Sequence, residues 1–534
     1  MSDSGSDSSE PAVPGRGLLR SGALVGALTF VSRILGLVRD VVIAVLFGAR
    51  PEADAFFVAF RIPNLFRRLF AEGAFSAGFI PVLAEFRAAR SHVEVRLFVA
   101  RVAGALGVAL LLLTLVGMLA APLVVGVFAP GFDGGFGGGF EGENGRFELA
   151  SAMLRITFPY LLLISLTALC AGVLNSFGRF AIPAITPVWL NLSLIAAALG
   201  LAGHLEEPIM ALAWGVLFAG FLQFVFQLPA LARIDMLVLP RVAPKDPGVK
   251  KVLNLMLPAA FGASVSQINL LIDTMLASLL VAGSISWLYY ADRLMELPLG
   301  IFAIALATVL LPRLSREHAD GEPEAFSATL DQGLRLGLLV TVPAAAALVV
   351  LAQPLITTLF HYGAMGANDV QQSAFALMAY SLGLIGFTGV KILAPGFFAR
   401  QDTRTPVRIA LWAMGVNVVL NLALILPLAH VGLALATSTA ALVNAGLLLR
   451  SLYRCGVWRP QPGWRGFLLR LAAATAVMVV LLLWGAPVAS DWLTAGLQQR
   501  VFWMALLVPG GILAYFGILA ALGWGPRQLL RTYL

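Results

Sequence analysis

Apolar positions in this chain fall in long unbroken runs, and short polar segments separate them. A helix crosses a bilayer with ~20 apolar residues, whereas the strands of a membrane barrel alternate over about ten. The runs predict fourteen helical spans, near residues 22–48, 54–86, 97–128, 148–177, 181–203, 207–232, 249–282, 286–314, 327–360, 370–399, 405–429, 431–454, 465–488 and 499–523. The expected fold class is an all-α polytopic membrane protein. Residues 1–17 (MSDSGSDSSEPAVPGRG) are Ser-, Asp- and Pro-rich and read as a disordered tail. Their composition does not suit a cleaved signal peptide, so the first run is expected to stay as a span.

Composition strengthens this reading. The 534 residues are 59% hydrophobic and 12% charged, with a mean hydropathy of +0.89. Soluble domains carry roughly 25% charged residues, so a soluble enzyme of this length is excluded. A net charge of +8 would point to nucleic acid in a soluble chain, and here it points to basic loops. Cys170 and Cys455 lie far apart in or beside apolar runs and offer neither a disulfide framework nor a metal motif. HExxH, a Walker loop and GxSxG in a strand–helix setting are missing from the sequence. The five histidines, at 92, 204, 318, 361 and 430, fall in or near loops. No enzymatic activity and no cofactor are expected, and any pumping is secondary or potential-driven.

Loop charge then sets a topology. With the N-terminus inside, the segments on that side carry twenty-four Lys and Arg and the opposite loops carry three, Arg50, Arg146 and Arg500. The bias supports an even number of spans with both ends cytoplasmic. The loop 130–146 (PGFDGGFGGGFEGENGR), on the other side, is Gly-rich and expected to be mobile. The remaining nine cations, Arg33, Arg39, Arg61, Arg67, Arg68, Arg155, Arg293, Arg335 and Lys391, fall within or near the ends of apolar runs. Intramembrane charge is costly and usually faces a wet cavity or a partner.

A weak internal repeat runs at an offset near 220–234. Ser32-Arg33-Ile34 aligns with Ser266-Gln267-Ile268, Pro81 with Pro312, and Phe158-Pro159-Tyr160 with Met378-Ala379-Tyr380. At 234, Arg39 aligns with Asp273. Six spans per copy predict two parallel lobes around a central cavity. The expected units are the tail 1–17, an N-terminal lobe 18–235, a C-terminal lobe 236–456, and two extra spans in 457–534.

Four constellations could carry chemistry. In SRILGLVRD, residues 32–40, Arg33 and Arg39 stand about 120° apart on a helix. They either line a wide cavity, or Arg39 pairs with Asp40 or Asp54 or snorkels to the cytoplasmic end. Residues 60–81 hold Arg61, Asn64, Arg67, Arg68 and Glu72 around a kink expected at Pro63. Several Arg forks in one apolar span suit a pyrophosphate or other polyanion, or else form a charged elbow at the membrane surface. In SWLYYADRLMELP, residues 286–298, Arg293 either reaches a ligand or closes a salt bridge with Asp292 or Glu296. Asp273, Asn417, Asn421 and Thr437 offer hard oxygens suited to Na⁺, or else bridge helices by hydrogen bonds.

These residues also carry a family pattern. LGLVRD, DAFFVAFRIPNLFRRLFAEGAFSAGFIPVLAEF, SVSQI, SWLYYADRLMELP, KILAPGFFARQDTRTPV and RPQPGW resemble the MurJ (MviN) lipid II flippases of the MOP exporter superfamily, from about residue 18 onward. The resemblance implies fourteen helices, with spans 13 and 14 forming a groove for a lipid tail. It implies movement of a lipid-linked peptidoglycan precursor, lipid II, across the bacterial cytoplasmic membrane. Arg33, Arg39, Arg61, Arg67 and Arg293 match its cavity arginines, and Ser286 and Glu296 its cavity polar positions. Asn64 is taken with this substrate-binding group. Asp54 matches an acid near its outward gate, and Asp40 and Glu72 are grouped with it as gating residues. Some members bind Na⁺ at positions matching Asp273, Asn417, Asn421 and Thr437, although Asn421 replaces an Asp. The expected partners are lipid II, membrane lipid and cell-wall synthesis proteins, with no nucleic acid, and the expected state is a monomer. Competing readings are an exporter of another lipid-linked oligosaccharide or of a drug, and a non-transporting scaffold.

Overall fold

The helices begin and end where local chemistry dictates. In the computed structural model, which describes residues 15–68, 75–133 and 144–524, the α-helices are α1 (Gly15–Phe47), α2 (Pro51–Phe66), α3 (Phe75–Ala89), α4 (His92–Leu119), α5 (Ala121–Phe128), α6 (Asn144–Thr157), α7 (Pro159–Ser176), α8 (Ala181–Gly200), α9 (Met210–Arg233), α10 (Pro247–Ser278), α11 (Ser284–Pro298), α12 (Ile304–Ala319), α13 (Pro323–Val350), α14 (Ala352–Phe360), α15 (Ala367–Phe398), α16 (Arg404–Arg454), α17 (Trp464–Gly485), α18 (Ala489–Thr494) and α19 (Leu497–Ala521). Ser91 and Glu94 close a capping box at the start of α4. Asp246 accepts from the backbone N–H of Gly248 and Val249 at the start of α10, where Pro247 takes the first helical position.

Nine helices among the described residues are long and apolar enough to cross a membrane. α1, α2, α10 and α11, which carry the intramembrane charges, are not among the nine. Proline breaks the charged spans. Pro63 lies inside α2, which ends three residues later, and Arg67 and Arg68 follow in a π turn. α11 ends at Pro298 and passes through a π turn, Leu299–Ala303, into α12. The two breaks fall at corresponding places of the sequence repeat, and such π turns recur at functional sites. α16 covers two of the expected spans in one run. It bends at Ala429, whose φ of 48° and ψ of −131° are non-helical.

Helices α1–α9 pack mainly among themselves, as do α10–α16, while α17 pairs with α19 and leans on α13. The first two groups meet through α2 against α11, α3 against α10 and α1 against α14. Their shared core holds Phe56, Phe57, Tyr289, Tyr290 and Phe360, with Phe57 and Tyr289 stacked at 4.0 Å. The outer surface is apolar: Leu426 is 92% exposed and Trp484 88%. A soluble protein would not leave such a belt in water.

Residues 1–14, which hold most of the expected disordered tail, lie outside the described residues, as do 134–143 of the loop expected to be mobile. The described ends of that loop are packed. Phe132 is fully buried, Arg146 is buried beneath it, and the Gly131 N–H donates to Ser278 Oγ at 3.1 Å.

Candidate functional site

A polar chamber lies where α1, α2 and α8 face α10, α11 and α16. It comprises a cavity of about 470 Å³ and a smaller neighbour of about 230 Å³, which share Arg39, Leu190, Arg293 and Glu296 as walls. The larger one is lined by five arginines, Arg39, Arg61, Arg67, Arg68 and Arg293, against three acids, Asp273, Asp292 and Glu296. Arg33 and Asp40 line the smaller one.

Arg39 is buried and makes four hydrogen bonds. Its Nε and Nη2 donate to Asp40 Oδ1 at 2.9 and 2.7 Å. Nη1 donates to Asn191 Oδ1 at 3.0 Å, and Nη2 also donates to the Tyr289 hydroxyl at 3.0 Å. That hydroxyl donates in turn to Asp40 Oδ1 at 2.9 Å. Arg293 stands 3.8 Å from the other Asp40 oxygen, lies over the Tyr289 ring and donates to Glu296 at 3.0 Å. Of the readings open for Arg39, pairing with Asp40 holds and pairing with Asp54 does not. The pair still forms the chamber wall, because the Asp40–Tyr289 contact joins α1 to α11.

Arg61 and Arg67 also reach neutral groups. Arg61 Nη1 donates to the Thr274 hydroxyl at 2.7 Å, joining α2 to α10. Arg67 Nε donates to Asn64 Oδ1 at 3.1 Å, and Asn64 Nδ2 donates to the Phe60 carbonyl at 2.9 Å. The Arg33 guanidinium lies against Gly300 in the π turn, where a Cβ would have no room. Glu72 lies outside the described residues.

On the opposite wall Asp273, Asn417, Asn421 and Thr437 come together. Asn421 Nδ2 donates to Asp273 Oδ1 at 2.7 Å and to Asn417 Oδ1 at 2.9 Å, and the Thr437 hydroxyl donates to Asp273 Oδ2 at 3.3 Å. Rotating the Asn417 amide lets its nitrogen donate to Asp273 and Asn269 while its oxygen accepts from Thr437. Asn421 Oδ1 is buried with no hydrogen-bond partner among the described residues.

Asp54 and Ser286 do not line the chamber. Asp54, 1% exposed, is buried beyond its end. α11 starts at Gly283, whose φ of 95° needs glycine and which has no side chain to cap the helix. Asp54 supplies that cap from α2, accepting from Gly283 N–H at 2.6 Å, Ser286 N–H at 2.8 Å and Ser286 Oγ at 2.6 Å. A carboxylate suits the free N–H groups and positive end of a helix. Ser286, matched by the resemblance to a cavity position, is fully buried in this contact. Beside it the Tyr290 hydroxyl donates to the Gly48 carbonyl at 3.0 Å and Ala364 N–H to the Val45 carbonyl at 2.8 Å. At the basic end α3 meets α10, with Gly78 against the Val252 backbone and ion pairs Lys251–Glu85 and Arg101–Asp246.

Asn191, Tyr289 and Thr274 escaped the sequence reading as site residues. A lone amide in the apolar run PVWLNLS was the only signal for Asn191, and Tyr289 stood unremarked within SWLYYADR.

Two helix groups enclosing a charged chamber, in a chain whose surface is apolar, define an integral membrane transporter. A family model described as lipid II flippase MurJ matches residues 43–502, and the chain belongs to that family. A relative from Vibrio cholerae serotype O1, named probable lipid II flippase MurJ, is 48% identical over 506 residues, covering 95% of this chain and 96% of its own. One from Burkholderia cenocepacia, named lipid II flippase MurJ, is 43% identical over 95% of this chain and 98% of its own. Among solved structures, lipid II flippase MurJ in an inward closed conformation aligns with a TM-score of 0.76 and 26% identity, over 95% of this chain and all of that one. A multidrug resistance MATE family transporter of the MOP superfamily, inward-facing, aligns at 0.66 with 15% identity over 82% and 98%, a likeness of fold alone.

Proposed function

We propose that this chain moves lipid II, the polyprenyl-pyrophosphate-linked peptidoglycan precursor, from the cytoplasmic to the periplasmic leaflet of the bacterial inner membrane. It does so without covalent chemistry. One observation carries the reading: the chamber gathers five arginines against three acids between two helix groups. Lipid II has an anionic pyrophosphate and peptide carboxylates. Arg forks replace water around phosphate oxygens. Arg61, Arg67 and Arg68 line the larger cavity together and take the phosphates, while Arg39, Arg293, Asn64 and Glu296 orient the sugar and peptide.

Fourteen spans with both ends cytoplasmic place Asp54 at the periplasmic side. The two lobes, 18–235 and 236–456, rock about the chamber in alternating access. Breaking the Asp54 cap on α11 opens the outer side, and parting α3 from α10 opens the inner. Spans 13 and 14 hold the polyprenyl tail. Outward movement of each negative charge is favoured by ~2.3 kcal/mol per 100 mV of inside-negative potential.

A Na⁺ ion fits the opposite wall. Its donors are the Asp273 carboxylate, the Asn417 and Asn421 amide oxygens and the Thr437 hydroxyl, and the orphaned Asn421 Oδ1 gains a partner on binding. The ion would supply charge neutralisation at Asp273.

The test follows lipid II in cells depleted of their own flippase and complemented with this chain. A headgroup-specific toxin added outside cleaves lipid II that has reached the outer leaflet. Restored cleavage supports the reading. No cleavage, with the protein in the membrane, moves it to another lipid-linked cargo.

A further inference from the structure

Arg500 opens α19 and is 4% exposed. An arginine has five N–H donors, and here all five are used. Nε donates to the Trp492 carbonyl at 2.9 Å. Nη1 donates to the carbonyls of Thr357 at 3.3 Å and His361 at 3.2 Å. Nη2 donates to the Leu493 carbonyl at 3.0 Å and to His361 Nδ1 at 3.1 Å. The Tyr362 ring lies beneath the guanidinium at 5.3 Å. No carboxylate among the described residues pairs with Arg500. Burying a cation without a counter-ion is costly, and an apolar residue would fill the space at less cost. The fork does what an apolar residue could not: it ties two separate chain segments together by their carbonyls.

Those segments are α18 with the start of α19 on one side, and the end of α14 on the other. The residues that follow α14 close the chamber's Asp54 end. Ala364 N–H bonds the Val45 carbonyl of α1, a Cβ on Gly363 would strike that same carbonyl, and Phe360 packs on Tyr290 of α11 at 5.1 Å. α17 and α19 also pack on the rest through an apolar cluster that includes Leu339 and Leu351 of the α13–α14 region, and two further hydrogen bonds, Trp464 Nε1–H to Asp331 Oδ1 and the Tyr515 hydroxyl to the Leu339 carbonyl, each at 2.7 Å, fix them to α13. Among these ties the Arg500 fork is the one next to the closure.

We infer that Arg500 is a positioning residue that locks residues 361–364 to the α17–α19 hairpin, so that the closure on α1 is made and broken together with that hairpin. The inference rests on the flippase reading, since it assigns the hairpin a part in opening the chamber. A tail-holding hairpin tied to the gate would let occupancy of one bias the other.

The test uses the full chain in native membranes, with Cys455→Ser and cysteines introduced as V45C and A364C. A short bis-thiol reagent reports closure, and external cleavage of lipid II reports flipping. In R500Q, cross-linking and flipping are both expected to fall at least about tenfold, the scale of losing one hydrogen bond to a charged group. R500K keeps the charge without the fork and is expected to stay defective in both. Unchanged cross-linking in R500Q, with flipping intact or lost, overturns the inference, as does full rescue of both readouts by R500K. Should R500Q fail to reach the membrane, H361A removes only the ring acceptor and is expected to lower both readouts severalfold, and no change in either overturns the inference. Cross-linking that responds to R500Q while the parent chain flips no lipid II instead breaks the flippase reading and leaves the positioning role standing.

Discussion

The chamber's two walls occupy equivalent places in the repeat and solve the same problem in opposite ways. Arg39 and Asp273 lie 234 residues apart, each a charge in the last third of its helix. Arg39 carries its own counter-ion: Asp40 sits beside it, and Tyr289 and Asn191 take the remaining donors. Asp273 has no cation within ion-pair distance among the described residues, and amide and hydroxyl donors satisfy it instead. A pre-paired arginine presents a fixed positive edge without the cost of a lone buried ion. An unpaired carboxylate ringed by neutral oxygens leaves room for a mobile cation. On the proposed function, the first wall would hold an anionic headgroup and the second would exchange a cation.

Removing Arg39 gives the largest expected effect. R39A leaves Asp40, 2% exposed, with Arg293 at 3.8 Å and the Tyr289 hydroxyl as its remaining partners, and breaking a buried pair costs ~3–5 kcal/mol. Lipid II flipping should drop about 100-fold on that scale, read by external toxin cleavage at matched protein level. The double variant R39A/D40N leaves no orphaned charge and should express better than R39A alone. Equal expression of the two would break the picture of a pre-paired wall.

Asp54 comes next. D54A removes a helix cap supplied from another helix, worth roughly 0.5–2 kcal/mol. Cross-linking between V45C and A364C should fall up to about tenfold on that basis, with headgroup binding retained. A wild-type cross-linking rate would show that the cap does not hold the closure.

The Asp273 wall should be more forgiving, since D273N keeps the shape and the neutral donors. Flipping is expected to fall only about threefold, within the ~1 kcal/mol of an ordinary hydrogen bond, and any Na⁺ dependence should vanish. A Na⁺ dependence that survives D273N moves the ion elsewhere.

The smallest effect is expected from acid outside. Burial, and secondly the adjacent Arg500, hold the His361 imidazole below its ordinary value, so the neutral ring that accepts from Arg500 is favoured. A lowered histidine stabilises fully above its unfolded pKa of about 6.5 and loses that contribution as pH falls through the lower folded value. Thermal stability of the purified chain should therefore decline modestly below about pH 6, and H361A should remove that part of the decline.

Much of this protein is written locally. Apolar run length alone places helices at each expected span, because a helix satisfies its backbone within itself and lipid demands only apolar side chains. Pro63 and Pro298 mark the breaks in the charged spans for the same local reason. The arginines could be named as chamber residues from their cost in an apolar run, and the Asp273 group from its chemistry. Their partners could not. Arg39 meets Asn191 and Tyr289 at separations of 152 and 250 residues, Asp54 caps α11 from 229 residues away, and Arg500 reaches back 139 residues to His361. Ser286 shows the limit well: its place in the chain says polar and intramembrane, while only the packing of α2 on α11 decides that it faces Asp54 and not the chamber. Periodicity and hydropathy act over a turn or a bilayer's thickness, so the sequence determined the class, the helical runs and the list of costly charges. Which charge finds which acceptor depends on how the helices pack, and that the tertiary structure alone decided.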